Sequence, residues 1–453
     1  MNKIEAINLQ QTVFDELDIH EIAVVKNPEY IYSPIELYPL ASKNTRPLSR
    51  LVACVMDMDG TTTTTEPLCI HSQEFMIRKI TGMLDKSIWS GFDEKEDYPN
   101  IIGNSTTKHV EYLIGKYINR IMVDRLLVSF IESVIWTYVS GQRFGRWNEV
   151  RQNVIVLGLS EILNDLKGFS SDLPFDCSEF AGQLYDRYRD NCLHPEFNML
   201  VRMAIDIYYA RYHHILSLLQ QDKPVNDEFL TGPAQSLIEP MTGVAFFLAL
   251  LKGWFDKEEV EELFDPVLRK MAAKSGLVLP EGLVSTQKLK LMKLADYFKV
   301  NPVKLALVTS SIASEAEIVL TEVMKAIRKE IEVWPLSHLK KSKLIGHFIN
   351  QHQIYDAVIT ANDSSEIRLK PHRDLYSIAL YQMAVKKEDY QYVIGCEDSE
   401  SGIIAIRAAG IGCSIALPFK NTENHKFWAA SHVLPRALPE LVLIHNCNLE
   451  IKE

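Results

Sequence analysis

Residues 390–418 read "YQYVIGCEDSESGIIAIRAAGIGCSIALP", and the order of textures within them decides the fold. "YVIG" is short, apolar and β-branched, as a buried strand requires. "CEDSES" then brings acids and hydroxyls. "GIIAIRAAG" repeats apolar residues at helical spacing and stops at Gly410, after which "GCSIALP" returns to a strand pattern. The same alternation stands upstream. "KLALVTSS" (304–311) reads as a strand ending in hydroxyls, followed by the helical "ASEAEIVLTEVMKAIRKE"; "YDAVITAND" (355–363) reads as a strand, followed by "KPHRDLYSIALYQMAV" with its Pro-marked start. Strands and helices alternating at these lengths predict an α/β fold, with a parallel sheet covered on both faces. Such sheets bind ligands outside the carboxyl ends of their strands.

One further strand lies far from the others. In "LVACVMDMDGTTTTT" (51–65) an apolar run ends on Asp57, Asp59 and Gly60. A strand alternates faces, so the two acids point the same way. They repel each other and are costly to desolvate unless a cation sits between them. The plain alternative is a strand followed by an acidic Asp-Gly turn, with threonines as a β-prone continuation. Thr62–Thr65 are expected to lead out of the core. From Pro67 to about residue 285 nearly everything reads as helix, as in "EFMIRKITGML" and "EFNMLVRMAIDIYYARYHHILSLLQQ". His213 and His214 lie in the latter about 100° apart around the helix axis, which suits packing rather than a shared metal. Residues 1–49, with "NPEYIYSPIELYPL", are expected to form an extended arm on the surface.

A chain of 453 residues is too long for one ordinary core and predicts two domains. With 47% hydrophobic and 24% charged residues it can bury a sizeable interior. The net charge, 48 − 59 = −11, argues against nucleic acid or an anionic membrane as the main partner, while leaving room for a small anion in a local positive site. The seven cysteines are scattered and contain no C-x-x-C pair, a pattern of reduced thiols in a cytoplasmic protein. The N-terminus shows no basic region followed by an apolar one, and "VAFFLALL" (244–251) is too short to span a bilayer. A soluble protein is expected.

Four groups fall at carboxyl ends of the predicted strands: Asp57 with Asp59, Thr309 with Ser310, Lys370, and Glu397 with Asp398. Carboxylates brought face to face demand a hard cation, and Mg²⁺ suits a few carboxylates, waters and a phosphate oxygen. A hydroxyl, backbone N–H groups and a lysine are the usual cradle for phosphoryl oxygens. Taken singly, each group has an ordinary reading. Thr309 and Ser310 could cap a helix beginning near Ser314, Asp398 and Ser399 could form an N-cap matched by Gly410, and Lys370 could be a solvated lysine.

Taken in order, "VMDMDGT", "LALVTSS", "RLKPHRDLY" and "VIGCEDSESGIIAIRAAGI" resemble the four hallmarks of the haloacid dehalogenase superfamily. The likeness is greatest to its phosphatase and β-phosphoglucomutase-like branch, through "DGTTTTTEPL", "KPHRDLY" and "GCEDSESGIIAIRAAG". It covers residues 50–68 and about 286–443. It implies a Rossmann-like core with a large, mostly α-helical cap. The boundaries are then an N-terminal extension at 1–49, core at 50–66, a cap at 67–285 with the core resuming as early as 237, core again at 286–443, and a tail at 444–453. The resemblance implies Asp57 as nucleophile, forming an aspartyl-phosphate, and Asp59 as general acid/base. It implies Thr309, Ser310 and Lys370 around the phosphoryl group, and Mg²⁺ held by Asp57, the Asp59 carbonyl and Asp398, with Glu397 direct or through water. The cap would close over Asp57 and select the leaving group. Relatives often carry an acid where Thr64 stands and a hinge histidine where Cys69 stands, with His71 nearby here. The implied function is hydrolysis of a small phosphorylated metabolite. The alternatives are a phosphomutase with the same core, or a silent scaffold whose helical cap binds a protein. The presence of Asp59 disfavours dehalogenase and phosphonatase chemistry. Oligomeric state is not legible.

Overall fold

The structure is a computed structural model that describes residues 21–27, 32–102, 106–167, 175–191, 195–225, 237–365, 368–419, 422 and 425–451. Residues 1–20, Cys192 and the early end of the insertion near 236 lie outside the described residues. In chain order the strands are β1 (Ile22–Lys26), β2 (Ile35–Pro39), β3 (Ala53–Asp57), β4 (Thr63–Thr64), β5 (Glu239–Pro240), β6 (Lys304–Val308), β7 (Ala357–Ile359), β8 (Val393–Glu397), β9 (Cys413–Ala416) and β10 (His432–Val433). The chain forms two compact units. The first takes the described residues of Met1–Thr64, Glu239–Ala316 and Leu320–Glu453, and the second those of Thr65–Ile238 with Glu317–Val319.

The first unit is an α/β fold around a six-stranded sheet, ordered β10-β9-β8-β3-β6-β7 with every neighbouring pair parallel. The strands are short, and β3, β8 and β9 are buried along their whole length, so β3 reads as an unbroken apolar run rather than an alternating one. From β3 the chain runs outward through β6 and β7, then crosses back to place β8 on the other side of β3. The order reverses between β3 and β8, and sheets of this kind bind ligands at the carboxyl ends beside such a switch point. Helix Val244–Leu251 is buried at all eight positions, which explains "VAFFLALL": it has no polar face because none meets water. This helix and Glu281–Val300 belong to the sheet unit. A helical periodicity shows that a face is buried, not which core it faces.

The N-terminal segment differs from the extended surface arm expected of it. β1 and β2 pair antiparallel, Ile22 with Pro39 through Lys26 with Ile35. Ala23, Val25, Tyr38 and Leu40 are buried in one cluster with Val55, Val308, Leu375 and Ile406, while Val24 and Leu37 face outward. Two-residue alternation in "IAVVK" carries this inner face.

The threonine run differs too. Thr62, Thr63 and Thr65 are buried instead of leading out of the core, as is Thr61 before them. Thr62 Oγ1 donates to the Asp57 carbonyl at 2.6 Å, and Thr63 Oγ1 to the Met58 carbonyl at 3.2 Å. β4 then pairs antiparallel with β5, the first strand after the helical unit. These hydroxyls satisfy carbonyls in a buried turn that has no sheet ladder to do so.

The second unit is helical, with Glu66–Thr81, Val123–Val139 and Phe197–Gln220 packed together. His213 stacks on Phe144 with ring centroids 4.1 Å apart, and His214 on Phe175 at 4.0 Å. Both histidines serve packing. His71 Nε2 lies 3.3 Å from Arg211, and Cys69 Sγ accepts from Tyr208 at 3.5 Å. Among the described residues, the six cysteines are free thiols and no helix is long and apolar enough to cross a membrane.

Candidate functional site

Asp57 closes β3, and Val308 stands in register with it on β6. Met58 N donates to the Val308 carbonyl at 3.1 Å, so the chain stays pinned to β6 one residue beyond the strand. Gly60 then turns the chain at φ +82, a left-handed conformation that glycine adopts without penalty. A Cβ there would lie 2.4 Å from Asp398 Oδ2. The absent side chain is what lets the loop after β3 close against the loop after β8.

Thr309 follows β6 and is fully buried. Its Oγ1 donates to Asp59 Oδ2 at 3.1 Å and accepts from Ser311 N at 3.0 Å. It does not cap the next helix, whose N-cap position is Ile312 with no side-chain bond. Ser311 Oγ reaches the same Asp59 oxygen at 3.4 Å, whereas Ser310, the residue expected to serve here, points to solvent. The chain bends at residues 310 and 311, which leaves Thr309 and Ser311 on the Asp59 side and Ser310 outside.

Lys370 lies in the loop after β7. Its Nζ donates to Asp57 Oδ1 and to Glu397 Oε1, the latter at 2.7 Å. Both ion pairs are almost fully removed from water, with the Lys370 side chain 8% exposed. Glu397 closes β8 and accepts four donors: Lys370, Tyr376 OH at 3.3 Å, Ser399 N at 2.7 Å and Ser399 Oγ at 2.8 Å. Two carboxylate oxygens offer about four lone-pair sites, so Glu397 is saturated by protein donors. Its fit is to hold Lys370. Gly402 makes this possible, because a Cβ there would lie 1.7 Å from Glu397 Oε1. Ser399 also caps helix Glu400–Ala408 by accepting from Gly402 N at 3.1 Å, so the capping reading and the site reading coexist. Tyr376, with Lys370 Nζ 5.4 Å from its ring centre, completes the wall; the motif "KPHRDLY" contained it.

One oxygen from each of Asp57, Glu397 and Asp398 falls within 4.8 Å of the others, and all three residues are buried. Burial pushes the Asp57 carboxyl above its ordinary range, with Lys370 opposing and Glu397 and Asp59 reinforcing. Burial works to lower Lys370, but the charges of Asp57 and Glu397 outweigh it and hold the ammonium well above its ordinary value. Crowded buried carboxylates around a cradle that any Cβ at position 60 would fill form a donor set suited to a small hard cation. With Glu397 saturated, Asp57 and Asp398 are the carboxylates that fit it.

No family model matches the chain, and no curated protein is similar to it. Several solved structures are. CbbY from Rhodobacter sphaeroides, solved with phosphate, is 15% identical, with 88% of this chain and 100% of that one covered and a TM-score of 0.38. A HAD family hydrolase from Deinococcus radiodurans R1, solved with phosphate and sodium, is 12% identical over 89% and 100%, with a TM-score of 0.37. A β-phosphoglucomutase from Clostridium difficile is 14% identical over 85% and 90%, with a TM-score of 0.29. At such identities and TM-scores the chemistry of the site rests on its own residues. The structure brings the four ordered motifs to the strand ends of one parallel sheet, with a helical unit inserted in the chain after the first, which is the arrangement that their resemblance to the haloacid dehalogenase superfamily implies.

Proposed function

We propose that the protein is a Mg²⁺-dependent phosphatase acting on a small phosphorylated metabolite through an aspartyl-phosphate on Asp57. The observation that carries this reading is the pairing of Asp57 with Lys370 at the β3–β8 switch point, with Asp59 held by Thr309 and Asp398 close against Gly60. An Asp57 oxygen attacks phosphorus and the ester P–O bond breaks. The leaving oxygen takes its proton from Asp59, which is half-buried and fixed by the Thr309 hydroxyl. Water then attacks the phosphoryl-aspartate, Asp59 takes the proton, and phosphate and free Asp57 are restored. Lys370 offsets the negative charge that Asp57 and the phosphoryl oxygens bring together. Asp57, Asp398 and the Asp59 carbonyl would hold Mg²⁺, which supplies further charge neutralisation when bound. A screen of metabolite phosphate esters and p-nitrophenyl phosphate, with and without Mg²⁺, tests the reading. Absence of Mg²⁺-dependent phosphate release from every ester would overturn it.

A further inference from the structure

The ribbon β1–β2 has no part in the chemistry just described, yet its inner edge ends on the loop that carries Lys370. Glu36 accepts from Arg368 Nη1 with both oxygens, at 3.0 and 2.8 Å. The opposite edge of the Arg368 guanidinium donates to both oxygens of Asp374, Nε at 2.9 Å and Nη2 at 3.0 Å. Tyr38 OH donates to Glu36 Oε2 at 2.7 Å and lies 2.5 Å from His372 Nδ1. A phenol has one proton, and a carboxylate can only accept. The Tyr38 proton therefore goes to Glu36, and His372 Nδ1–H is the donor to Tyr38. Tyr38 and His372 are 6% and 5% exposed.

These contacts close a ring. Arg368 and His372 stand two residues to either side of Lys370, and each is tied to the ribbon, while Arg368 and Asp374 tie the loop to itself. A lysine has four rotatable carbons and a compact charge that does not select its own geometry. Its ammonium is well placed only if the loop beneath it is. Exposed ion pairs contribute little to stability, but two-toothed guanidinium–carboxylate bonds fix direction as well as distance.

We propose that the β1–β2 ribbon is a positioning element for Lys370, with Glu36 and Tyr38 as the positioning residues that hold its ammonium between Asp57 and Glu397. The functional part of this statement rests on the phosphoryl-transfer reading. The placement of the lysine does not.

Two measurements on the full chain test it: acylation of Lys370 by an amine-reactive reagent, read by peptide mass, and kcat and KM for p-nitrophenyl phosphate with Mg²⁺. Misplacing a reacting group slows turnover more than it weakens binding. Glu36→Ala is therefore expected to raise Lys370 labelling about tenfold and lower kcat about tenfold, with KM little changed. Tyr38→Phe, which removes one hydroxyl and keeps the packed ring, should move both in the same direction by less, and it remains informative if Glu36→Ala fails to fold. Glu36→Gln, which still accepts from Tyr38 and Arg368, should recover part of the loss. Leu37→Ser on the outward face of the ribbon should change neither readout. Folded Glu36 and Tyr38 variants whose Lys370 stays as protected as in the parent overturn the proposal. So does raised labelling with an unchanged kcat in an active enzyme. A parent protein that hydrolyses no aryl phosphate counts against the phosphoryl-transfer reading alone, and labelling then decides the ribbon's part by itself.

Discussion

Glu397 Oε1 accepts from Lys370 Nζ at 2.7 Å, and the same ammonium donates to Asp57, so one cation joins carboxylates from two adjacent parallel strands. Removing the one cation of a buried ion cluster leaves its carboxylates uncompensated, which costs far more than the intact cluster contributes. Lys370→Met should destabilise the protein by about 3–5 kcal/mol, because Asp57 and Glu397 lose their shared counter-charge. Adding Asp57→Asn to that variant should recover part of the loss, giving a non-additive cycle. Urea midpoints of the parent, the two single variants and the double variant measure this. A double variant no more stable than Lys370→Met would contradict the buried-charge account.

Asp57→Asn alone is expected to leave the fold intact or slightly more stable. Burial already works against the charged form of Asp57, and an amide keeps its shape. Turnover should fall by about three orders of magnitude or more, since an amide cannot attack phosphorus and the residual rate comes from binding alone. Mg²⁺-dependent phosphate release and a thermal melt on the same sample separate the two effects. A tenth of parental activity in clean protein would remove Asp57 from its assigned part.

Much of this site was legible because parallel strands announce themselves. β3, β6, β7, β8 and β9 are short apolar runs, and the first four end on acids, hydroxyls or the approach to a lysine. Local order was enough to place Asp57, Thr309, Lys370 and Asp398 at strand ends, and the structure brings them together. The bond from Glu36 to Arg368 spans 332 residues and could not be read locally. Neither could the pairing of Thr63 with Pro240, which depends on where the helical unit ends. Ser311 instead of Ser310 depends on the bend after β6 and could not be read from strand alternation. Nor could the saturation of Glu397, because it depends on a hydroxyl and an N–H supplied by the next turn.

Two glycines set the spacing of the crevice, and each should resist the smallest substitution. Gly60→Ala places a methyl where Asp398 Oδ2 stands and strains a left-handed turn, costing about 1–2 kcal/mol for the backbone alone. Its distinctive result should be weaker Mg²⁺ dependence of activity, since Asp398 must move. Gly402→Ala collides with Glu397 instead, so Lys370 should become open to acylation. Calorimetric Mg²⁺ titration and lysine labelling assign each consequence to its glycine. Identical behaviour of the two variants would mean that the two loops move as one.

The ribbon should also confer a pH dependence of its own. Bonds from Tyr38, then Arg368 and Asn27, hold the Glu36 carboxyl down at about 2, from an ordinary 4.5. A carboxyl whose folded pKa is depressed contributes its stability fully above the unfolded value and loses it as pH falls through the folded one. Glu36 therefore stabilises the parent above pH 4.5, and this contribution should fade between 4.5 and about 2. His372 acts earlier and in the same sense. Burial, with Arg368 beside it, holds the imidazole below its ordinary 6.5, so the neutral ring's contribution begins to fade as pH drops below 6.5. The expected result is a gap in urea midpoint between the parent and Glu36→Gln that is constant at neutral pH and closes toward pH 2, because the amide has no proton to gain. A decline below pH 6.5 shared by both proteins is the sum of His372, His347 and His432, each held below its ordinary value by burial, and His372→Asn should remove only the His372 share. A gap between parent and Glu36→Gln that stays constant from neutral pH down to pH 2 would show that the carboxylate's charge contributes nothing to holding the ribbon on the loop.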